Sequence, residues 1–598
     1  MGSNLDLTIV GIYMIVLILI GVVFSRLVRN GSDYFRAGAR GSWWLVGASM
    51  FMSGISAYTF VGNAAGIYKS GWSPLAIYGA NVVGFIIGGL FLAAWYRQMR
   101  VITFAEVLKA RFGKTAEQVV AYLLVFNGYI WAGVVLYTLA IFSKVLIPDL
   151  PIQYLIIGVG VIVVFYCTIG GKWAVMANDF VQGLVLVIVT VIITVLCFKH
   201  AGGISEFFSA ISSSDAASDL KFFTEQKEDE VFRSAKYGFT WIVVAFLVQF
   251  FNMSSLFQGV RYFSAKDGRE AAKASIFAGV LMTLGCIVFF VPPIYARLFL
   301  SPEVAAMNPD DTSKAVEYAY SITAYHILPK GTFSIMIIAM FAAAISSLDT
   351  GLNTNAALIV RDLLPPILRK INKPSLTAKQ EVIVGKIATI FSGVIVIGIA
   401  TLYAAVEGMS IFDFMLKLSS ILIFPQMIPL VLFLFVRKVP RWSIFISIAA
   451  GYIPSILNYA FGWELSYQEL SAAILVAGTT GYFIPALFWK HVPESQRKEV
   501  QNFYDNMQTP VDFDTEVGQS NDTFQLKNIG LFAFILGLLF LFLMIPVQDN
   551  SGRIVVAIVA GFIASVGLLM LLAAKRIAKK EAQHNRPVQV ESETIEAR

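Results

Sequence analysis

Residues 47–66, GASMFMSGISAYTFVGNAAG, decide how this chain folds, because they are apolar enough to enter a membrane and yet rich in Gly, Ser and Thr. A helix of this composition can break midway and free backbone carbonyls that would otherwise bond four residues on. Irregular backbone is tolerated at bilayer depth only where it faces a cavity or a ligand. The alternative is an intact helix that packs closely on a neighbour through its small residues. The stretch therefore predicts a membrane helix that is either broken at a binding site or tightly packed.

The chain on either side of this stretch has the composition of a membrane protein. Of its 598 residues, 57% are hydrophobic and 14% are charged, and apolar runs recur from Leu5 to Leu572. A run of about 20 apolar residues crosses roughly 30 Å of hydrocarbon, and about fifteen such runs meet this criterion. We therefore predict an all-α polytopic membrane protein with about fifteen transmembrane helices and no separate soluble catalytic domain.

Basic residues predict the orientation in the membrane. Alternate short loops are rich in Arg and Lys, as in residues 26–40, 97–111 and 361–373, and such loops stay on the cytoplasmic side. We expect a multi-pass protein of the plasma membrane or the bacterial inner membrane, with the N-terminus outside and the C-terminus in the cytoplasm. This distribution explains the net charge of +7 without a nucleic-acid partner, since the basic residues form no patch with interleaved aromatic residues.

A later apolar segment carries polar groups at bilayer depth. Ala343, Ser346 and Ser347 share one helix face by their spacing, and Thr350 lies one turn beyond. Hard cations such as sodium prefer several oxygen ligands, so this face predicts a cation site. The alternative is that the hydroxyls bond to the backbone of their own helix. The neighbouring Asp349 disfavours that alternative, because an intramembrane acid needs a partner.

Two further segments combine charged residues with apolar sequence. Asp179 follows the pair Gly170–Gly171, which we expect to form a turn. The acid either complements a helix dipole or joins Asp349 at a cation site. Asp413 and Lys417 are four residues apart, which favours an ion pair on one helix face.

Six motifs occur in the order in which one family of membrane transporters has them. They are YFRAGARGSWW at 34–44, ISAYTF at 55–60, TFAEVLKARFG at 103–113, a segment with Gly-Gly and Asp at 168–182, RYFSAK at 261–266 and ISSLDTGLN at 345–353. On these motifs the chain resembles the sodium:solute symporter family, whose members include sodium/glucose, proline, sialic acid and iodide transporters. The resemblance covers residues 5–437.

This resemblance implies a leucine-transporter-like core of ten helices in two inverted five-helix repeats, with alternating access to a central site. We accordingly expect five parts in the chain. They are an extra N-terminal transmembrane helix at 1–32, the inverted-repeat transport core at 33–437, two accessory transmembrane helices at 438–490, a cytoplasmic linker at 491–525, and two accessory helices with a cytoplasmic tail at 526–598.

The resemblance also implies sodium ligands, because this family holds a sodium ion between the broken first core helix and the eighth core helix. The corresponding positions of this first site are the carbonyls of Met52, Ile55 and Ala343 and the hydroxyls of Ser346 and Ser347. They include the helix face predicted above from spacing. Some members bind a second sodium ion, whose ligands would here come from Asp179, Ser346, Asp349 and Thr350.

The substrate site matches less well. The acid, Lys and Gln of the family's sugar sites fall here near residues 79–81, at Met282 and at Leu416, and the Arg of sialic acid transporters has no counterpart in residues 119–145. The polar or aromatic positions that remain are Ser56, Thr59, Asn81, Asn127, Gln249 and Phe251, with Lys417 as a further position. Each is either a substrate contact or a helix-packing residue.

These features predict a sodium-coupled secondary active symporter of a small polar organic solute, of the sugar, polyol or organic acid class. Its partners are the solute, Na+ and the lipid bilayer, and no obligatory protein partner is inferred. A proton-coupled transporter and a non-transporting sensor of the same fold are the alternatives, since Asp179 or Asp349 could bind a proton. An enzyme is not expected, because none of the four histidines lies in an HExxH or comparable motif.

Overall fold

The computed structural model describes two long stretches of the chain. These are residues 36–222 and 238–584, without residues 146, 148, 407–409, 464, 519, 546 and 548, and with the isolated positions 11, 15, 19 and 22 in addition. The predicted N-terminal helix at 1–32 therefore lies outside the described residues, apart from those four positions. The described secondary structure is helical, apart from one parallel bridge between Gly41 and Ala265.

The described helices of nine or more residues follow one another with mostly short connections. In chain order they are α1 Trp43–Gly54, α2 Thr59–Ser70, α3 Leu75–Gln98, α4 Phe104–Phe112, α5 Lys114–Lys144, α6 Ile152–His200, α7 Ile204–Ser213, α8 Phe239–Ser254, α9 Leu256–Ser264, α10 Gly268–Phe299, α11 Ala319–Ile327, α12 Phe333–Lys370, α13 Ala378–Ala404, α14 Ile411–Leu432, α15 Ser443–Ala460, α16 Tyr467–His491, α17 Glu494–Gln508, α18 Asp522–Phe542 and α19 Asn550–His584. Four π-helical turns interrupt them, at Thr59–Asn63, Gly88–Leu92, Ile359–Leu363 and Ser419–Ile423.

Eleven helices of the described residues are long and apolar enough to cross a bilayer, or thirteen if each of two bent pairs counts as one span. The bent pairs are α1 with α2, at 51°, and α8 with α9, at 43°. The all-helical polytopic architecture is thus confirmed. The predicted total of about fifteen also counts the helix at 1–32 and the shorter apolar stretch Ile152–Phe165 of α6, and it stays a prediction. The pair Gly170–Gly171, where we expected a turn, lies within the helical range of α6.

The break between α1 and α2 has a local explanation. Ile55 is extended, with φ −121° and ψ 132°, so the helical hydrogen-bond ladder stops there. The Ser56 N–H donates to Thr59 Oγ1 at 3.3 Å, and Ser56 Oγ accepts from the Tyr58 N–H at 3.2 Å. These bonds satisfy groups that a break would otherwise leave unpaired at bilayer depth. Of the two interpretations of this stretch, the structure contains the broken helix.

The core of the molecule is centred on α12. Its apolar window is 83% buried, against 33% to 56% for the other spans. It packs against α1, α5, α6 and α13. As a result Ser346 and Ser347, which are 1% and 8% exposed, face other helices and not lipid.

The C-terminal part of the chain packs on one end of this bundle. Arg100, just after α3, forms a bidentate ion pair with Glu516 at 2.7 and 2.8 Å. Ser42, just before α1, donates to Asp522 at 2.6 Å, and Asp522 also pairs with Lys266 after α9. The segment that leads into α18 therefore ties together the ends of α1, α3 and α9.

Candidate functional site

A cavity of about 290 Å³ lies beside the break between α1 and α2. Its walls come from the broken helix together with α3, α5, α8, α9, α12, α14 and the start of α16. Five of the six predicted substrate positions line it, namely Ser56, Thr59, Asn81, Asn127 and Gln249. The fold thus brings together polar residues that lie on four separate parts of the sequence.

The polar lining of the cavity is mostly uncharged. Amide and hydroxyl side chains dominate it, and Arg261 is the single charged side chain among the described residues that line it. The Arg261 guanidinium donates through NH1 to Gln258 Oε1 at 2.6 Å. The cavity therefore offers many neutral hydrogen-bonding groups and one fixed cation.

Two amide pairs connect the cavity walls. Gln249 Nε2 donates to Asn81 Oδ1 at 2.5 Å and joins α8 to α3. Asn127 Nδ2 donates to Gln426 Oε1 at 2.8 Å and joins α5 to α14. An amide side chain has two donor hydrogens and two acceptor lone pairs, so each pair keeps hydrogen-bonding capacity for a ligand.

Phe251, the sixth predicted substrate position, is not among the described residues that line the cavity. Its ring packs against Phe424 with 6.3 Å between centroids and an interplanar angle of 90°. An apolar cluster with Leu470 and Ile474 covers it from α16. Its apolar partners on α14 and α16 hold Phe251 behind Phe424. The rings that line the cavity include Phe424 and Trp131.

One residue of the first predicted sodium site, Ser347 of α12, contacts the backbone at the break between α1 and α2. Ser347 Oγ donates to the Ile55 carbonyl at 3.2 Å. Ser346 Oγ is buried without a hydrogen-bond partner among the described residues. Met52 and Ala343 are fully buried, at 0% exposure. The Ser346 hydroxyl, buried without a partner among the described residues, and the Ile55 carbonyl at the break, which Ser347 contacts, are oxygens of the kind that a hard cation needs as ligands.

Two of the residues predicted for a second sodium ion are linked through serines of α1. Ser49 Oγ donates to the carboxylate of Asp179. Ser53 lies one turn further along and donates to the Ser49 carbonyl at 2.7 Å. Its hydroxyl is 3.5 Å from Thr350 Oγ1. Neither serine is among the predicted site residues, although both lie on one face of the helix within residues 47–66.

Asp349 has a different neighbour from Asp179. It is 4% exposed and its carboxyl group hydrogen-bonds with the Cys167 thiol of α6. Asp179, also on α6, is 1% exposed. The described part of the chain holds no group of three or more His, Cys, Asp or Glu side chains that could bind a metal ion. The predicted cation ligands are accordingly hydroxyl, carbonyl and isolated carboxylate oxygens.

Asp413 pairs with a different lysine from the predicted one. Its Oδ2 lies 3.4 Å from Lys69 Nζ of α2, and it accepts from Ser410 Oγ at 2.8 Å. Lys417 Nζ instead lies 5.9 Å from the centroid of the Tyr459 ring on α15, and it is not among the described cavity-lining residues. The predicted pair Asp413 with Lys417 is therefore replaced, because the first turn of α14 meets the broken helix whereas Lys417 faces α15.

Several described cavity residues are not predicted as site residues from the sequence, among them Asn63, Trp131, Asn252 and Arg261. The first three carry a usable signal, because each lies three or four residues after a predicted position and so shares its helix face; those positions are Thr59, Asn127 and Gln249. Arg261 opens the motif RYFSAK, but its place in the cavity depends on how α8 and α9 turn at their break, which spacing along a straight helix does not reveal.

A buried carboxyl group lies outside the membrane spans, just before α11. Glu317 is 1% exposed, and its Oε1 accepts from the Ile411 N–H at 2.7 Å. Its Oε2 accepts from the Tyr137 hydroxyl at 3.4 Å. Burial raises the pKa of Glu317 to about 7. This one group contacts α5 and the N-terminus of α14, two of the helices that line the cavity.

Comparison with known proteins relates this arrangement to one family. The family model "Sodium:solute symporter family" matches residues 34–451. The sodium/sialic acid symporter NanT of Aliivibrio fischeri is 27% identical over 82% of this chain and 94% of that protein. Sodium/glucose cotransporter 1 of Oryctolagus cuniculus is 24% identical over 81% of this chain and 77% of that protein. A solved structure of a substrate-bound, outward-open Na+-coupled sialic acid symporter has a TM-score of 0.68 at 20% identity, covers 82% of this chain and 98% of that one, and shares the fold.

The matched range contains both bent helix pairs and all the residues predicted for the two sodium ions and the solute. It also contains the six motifs on which the resemblance was based. The family is one of transporters and not of enzymes. The chain belongs to the sodium:solute symporter family.

Proposed function

We propose that this symporter uses the sodium gradient to take up a small neutral polyhydroxylated solute, such as a sugar or a polyol. The observation that carries the proposal is the lining of the cavity, where amides and hydroxyls surround a single guanidinium. Amides and hydroxyls exchange hydrogen bonds with a polyol in both directions. Trp131 and Phe424 add apolar faces that can cover the C–H groups of a sugar ring.

A carboxylated solute is the second candidate, because Arg261 lines the same cavity. A guanidinium has five donor hydrogens and binds carboxylates through two parallel hydrogen bonds. Gln258 accepts from NH1 at 2.6 Å, and the remaining donors keep the capacity for an acid. The relatives named above divide between these two classes, since one is a sialic acid symporter and the other a glucose cotransporter.

The first sodium ion is proposed to bind the carbonyls of Met52, Ile55 and Ala343 and the hydroxyls of Ser346 and Ser347. The contact of Ser347 with the Ile55 carbonyl at 3.2 Å supports this set. So does the buried, unpartnered hydroxyl of Ser346. Since the ligands come from both α1 and α12, the ion would link the broken helix to the central helix and so couple sodium to the cavity.

A second sodium ion is proposed near Asp179, Asp349 and Thr350, with Ser346 as a shared ligand. The serines of α1 that contact Asp179 and Thr350 support a polar path in this region. Buried carboxylates are costly unless a cation lies beside them. The alternative is that one acid carries a proton, in which case the protein would move one sodium ion per solute and could couple to protons.

The inverted-repeat core is supported by the position of the two bent pairs. They are the first and sixth spans of the core if the apolar stretch Ile152–Phe165 counts as a span of its own. Two five-helix repeats would each begin with a broken helix in this way. We retain the proposed division at 33–437, 438–490, 491–525 and 526–598, the total of about fifteen spans, an outside N-terminus and a cytoplasmic C-terminus.

A thermal-stability screen tests the solute class. The purified protein in detergent is heated with glucose, galactose, myo-inositol or N-acetylneuraminic acid, each with sodium chloride or with potassium chloride. A solute that binds the folded protein raises the midpoint, and we expect a neutral sugar or polyol to do so only with sodium. Stabilisation by N-acetylneuraminic acid alone, lost in Arg261→Gln, would favour the carboxylated class.

A further inference from the structure

Asn127 differs from the other described cavity residues because its amide has a buried atom without a hydrogen-bond partner among the described residues. The side chain is 5% exposed, and its Nδ2 donates to Gln426 Oε1 at 2.8 Å. Its Oδ1 is buried and has no hydrogen-bond partner among the described residues. An unmatched buried carbonyl oxygen is destabilising. Because Asn127 lines the cavity, a ligand group that donates to this oxygen would satisfy it.

The direction of the bond between Asn127 and Gln426 is fixed by the backbone. Gln426 Nε2 donates to the Leu422 carbonyl at 2.9 Å and to the Tyr452 hydroxyl oxygen at 2.7 Å. The Tyr452 hydroxyl donates its own hydrogen to the same carbonyl at 2.9 Å. A backbone carbonyl only accepts, so the amide nitrogen of Gln426 must face Leu422 and its oxygen must face Asn127. Asn127 must then turn its nitrogen toward Gln426 and its oxygen away.

We propose that Gln426 and Tyr452 are positioning residues that hold the Asn127 carbonyl oxygen toward the solute. This part of the cavity therefore accepts an O–H or N–H group and rejects a group that can only accept. The inference rests on the proposed function, because it names the chemistry of one contact in the same cavity. In a sugar or polyol the donor is a hydroxyl. Fluorine or a methyl ether at that carbon would face Asn127 Oδ1 acceptor to acceptor, which is how a polar site discriminates strongly.

Tyr452 gives α15 a part in selectivity. This residue lies just after the range 34–451 that the family model matches. It contacts the π-helical turn Ser419–Ile423 of α14 through the Leu422 carbonyl. None of the described cavity-lining residues comes from α15. The helix therefore acts on the solute through Gln426 and Asn127 and not by direct contact.

A hydroxyl scan of the solute tests the proposal. Glucose and myo-inositol, with their monodeoxyfluoro and mono-O-methyl derivatives, compete for Na+-dependent uptake into proteoliposomes. For the native protein we expect the derivatives at one carbon to need at least a tenfold higher concentration than the parent solute for half-maximal inhibition. In Gln426→Leu the Asn127 amide can turn over and donate to fluorine or to the ether oxygen. The ratio of the two inhibitory concentrations, derivative over parent, should therefore fall toward one. Tyr452→Phe should lower the ratio less, since Gln426 keeps its bond to Leu422.

Ser447→Ala is the matched control. It removes another buried hydrogen bond of α15, from Ser447 Oγ to the Gly478 carbonyl at 2.8 Å, and it leaves Asn127, Gln426 and Tyr452 intact. In this variant we expect the ratio of inhibitory concentrations, derivative over parent, to stay at its native value. An unchanged ratio in Gln426→Leu would overturn the proposal.

A second readout needs no solute. In detergent, Asn127→Leu and Gln426→Leu should each lower the thermal midpoint. The decrease in the double variant should be clearly smaller than the sum of the two single decreases, because the two residues share one hydrogen bond. Additive losses would also overturn the proposal. If no sugar or polyol shows Na+-coupled uptake, the proposed function fails, while this cycle still decides whether Gln426 positions Asn127.

Discussion

Ser346 and Ser347 are neighbours on α12, yet their hydroxyls have different partners. Ser347 Oγ donates to the Ile55 carbonyl at 3.2 Å. Ser346 Oγ is buried and has no hydrogen-bond partner among the described residues. A sodium ligand must give up or lack a competing bond, so the two serines should contribute differently to folding and similarly to sodium binding.

We expect Ser346→Ala and Ser347→Ala each to raise the sodium concentration for half-maximal uptake by about tenfold, or about 1.4 kcal/mol. Without sodium, Ser346→Ala should keep the native thermal midpoint, because it removes no bond. Ser347→Ala should lower the free energy of unfolding by about 1 kcal/mol, because it removes the bond to the Ile55 carbonyl. Uptake against sodium concentration and thermal melts with and without sodium measure both effects.

Ser334 provides the control for this pair. It lies on the same helix, its hydroxyl is buried, and that hydroxyl also lacks a hydrogen-bond partner among the described residues. Ser334→Ala should therefore leave the sodium dependence unchanged. A native sodium dependence in the double variant of Ser346 and Ser347, at normal expression, would remove the first sodium site.

Glu317 makes stability depend on pH. Its pKa rises from 4.5 to about 7 because the carboxyl group is buried. Between these values the folded protein binds more protons than the unfolded chain, so stability falls as pH rises through this window, by up to about 3 kcal/mol. Glu317→Gln should remove this contribution. The difference between the thermal midpoints of variant and native protein should therefore change between pH 4.5 and 7 and be constant above it.

At the scale of the element, the broken helix depends on small residues inside its second half. A Cβ atom at Gly62 would lie 2.2 Å from the Tyr58 ring. That ring lines the cavity and contacts Trp131 with 5.5 Å between centroids. Any side chain at position 62 must therefore move a ring of the cavity wall.

Gly62→Ala should cost about 1 to 3 kcal/mol of stability, as expected for overpacking, and should raise the KM for the solute through Tyr58. Gly398→Ala is the control, because a Cβ there meets nothing within 4 Å. It should keep or slightly raise stability. The thermal midpoint and the KM for the solute are measured for both variants. Equal changes in the two variants would show that Gly62 is not sterically constrained.

The sequence predicts elements better than it predicts partners. The small polar residues around Ile55 predict either a break or close packing, and the structure contains the break. The contact between Ser347 and the Ile55 carbonyl agrees with the spacing on α12 together with the family motifs. The partner of Asp413 is Lys69, 344 residues away, and no local pattern indicates such a contact. Phe251 is likewise not among the described cavity-lining residues, because the apolar cluster on α14 and α16 holds its ring.

At the scale of the whole molecule, the proposed second sodium ion makes the number of ions coupled to each solute a test of Asp179. Its carboxylate accepts from Ser49 Oγ on α1. If a second sodium ion binds there, uptake should rise with sodium at a Hill coefficient above one. Asp179→Asn should bring the coefficient toward one and leave solute selectivity intact. A native coefficient of one, with a reversal potential that gives one sodium per solute, would leave only the first sodium site.

The C-terminal segment adds a constraint on the moving parts. Arg100 with Glu516 and Ser42 with Asp522 tie it to the ends of α3 and α1. Alternating access requires the broken helix to move relative to its neighbours. Each of these surface contacts is weak by itself. The sequence of this segment predicts only a polar linker, so it does not indicate that the contacts lie together at one end of the bundle.

The central claim is that a sodium gradient drives solute accumulation, and a flux measurement on the native protein tests it most directly. Proteoliposomes hold the protein with a labelled neutral sugar or polyol outside, and sodium, potassium or proton gradients are imposed one at a time. We predict transient accumulation above the equilibrium level with an inward sodium gradient, none when potassium replaces sodium, and no change on addition of a protonophore. Accumulation that follows the proton gradient, or binding of the solute without any flux, would contradict the claim.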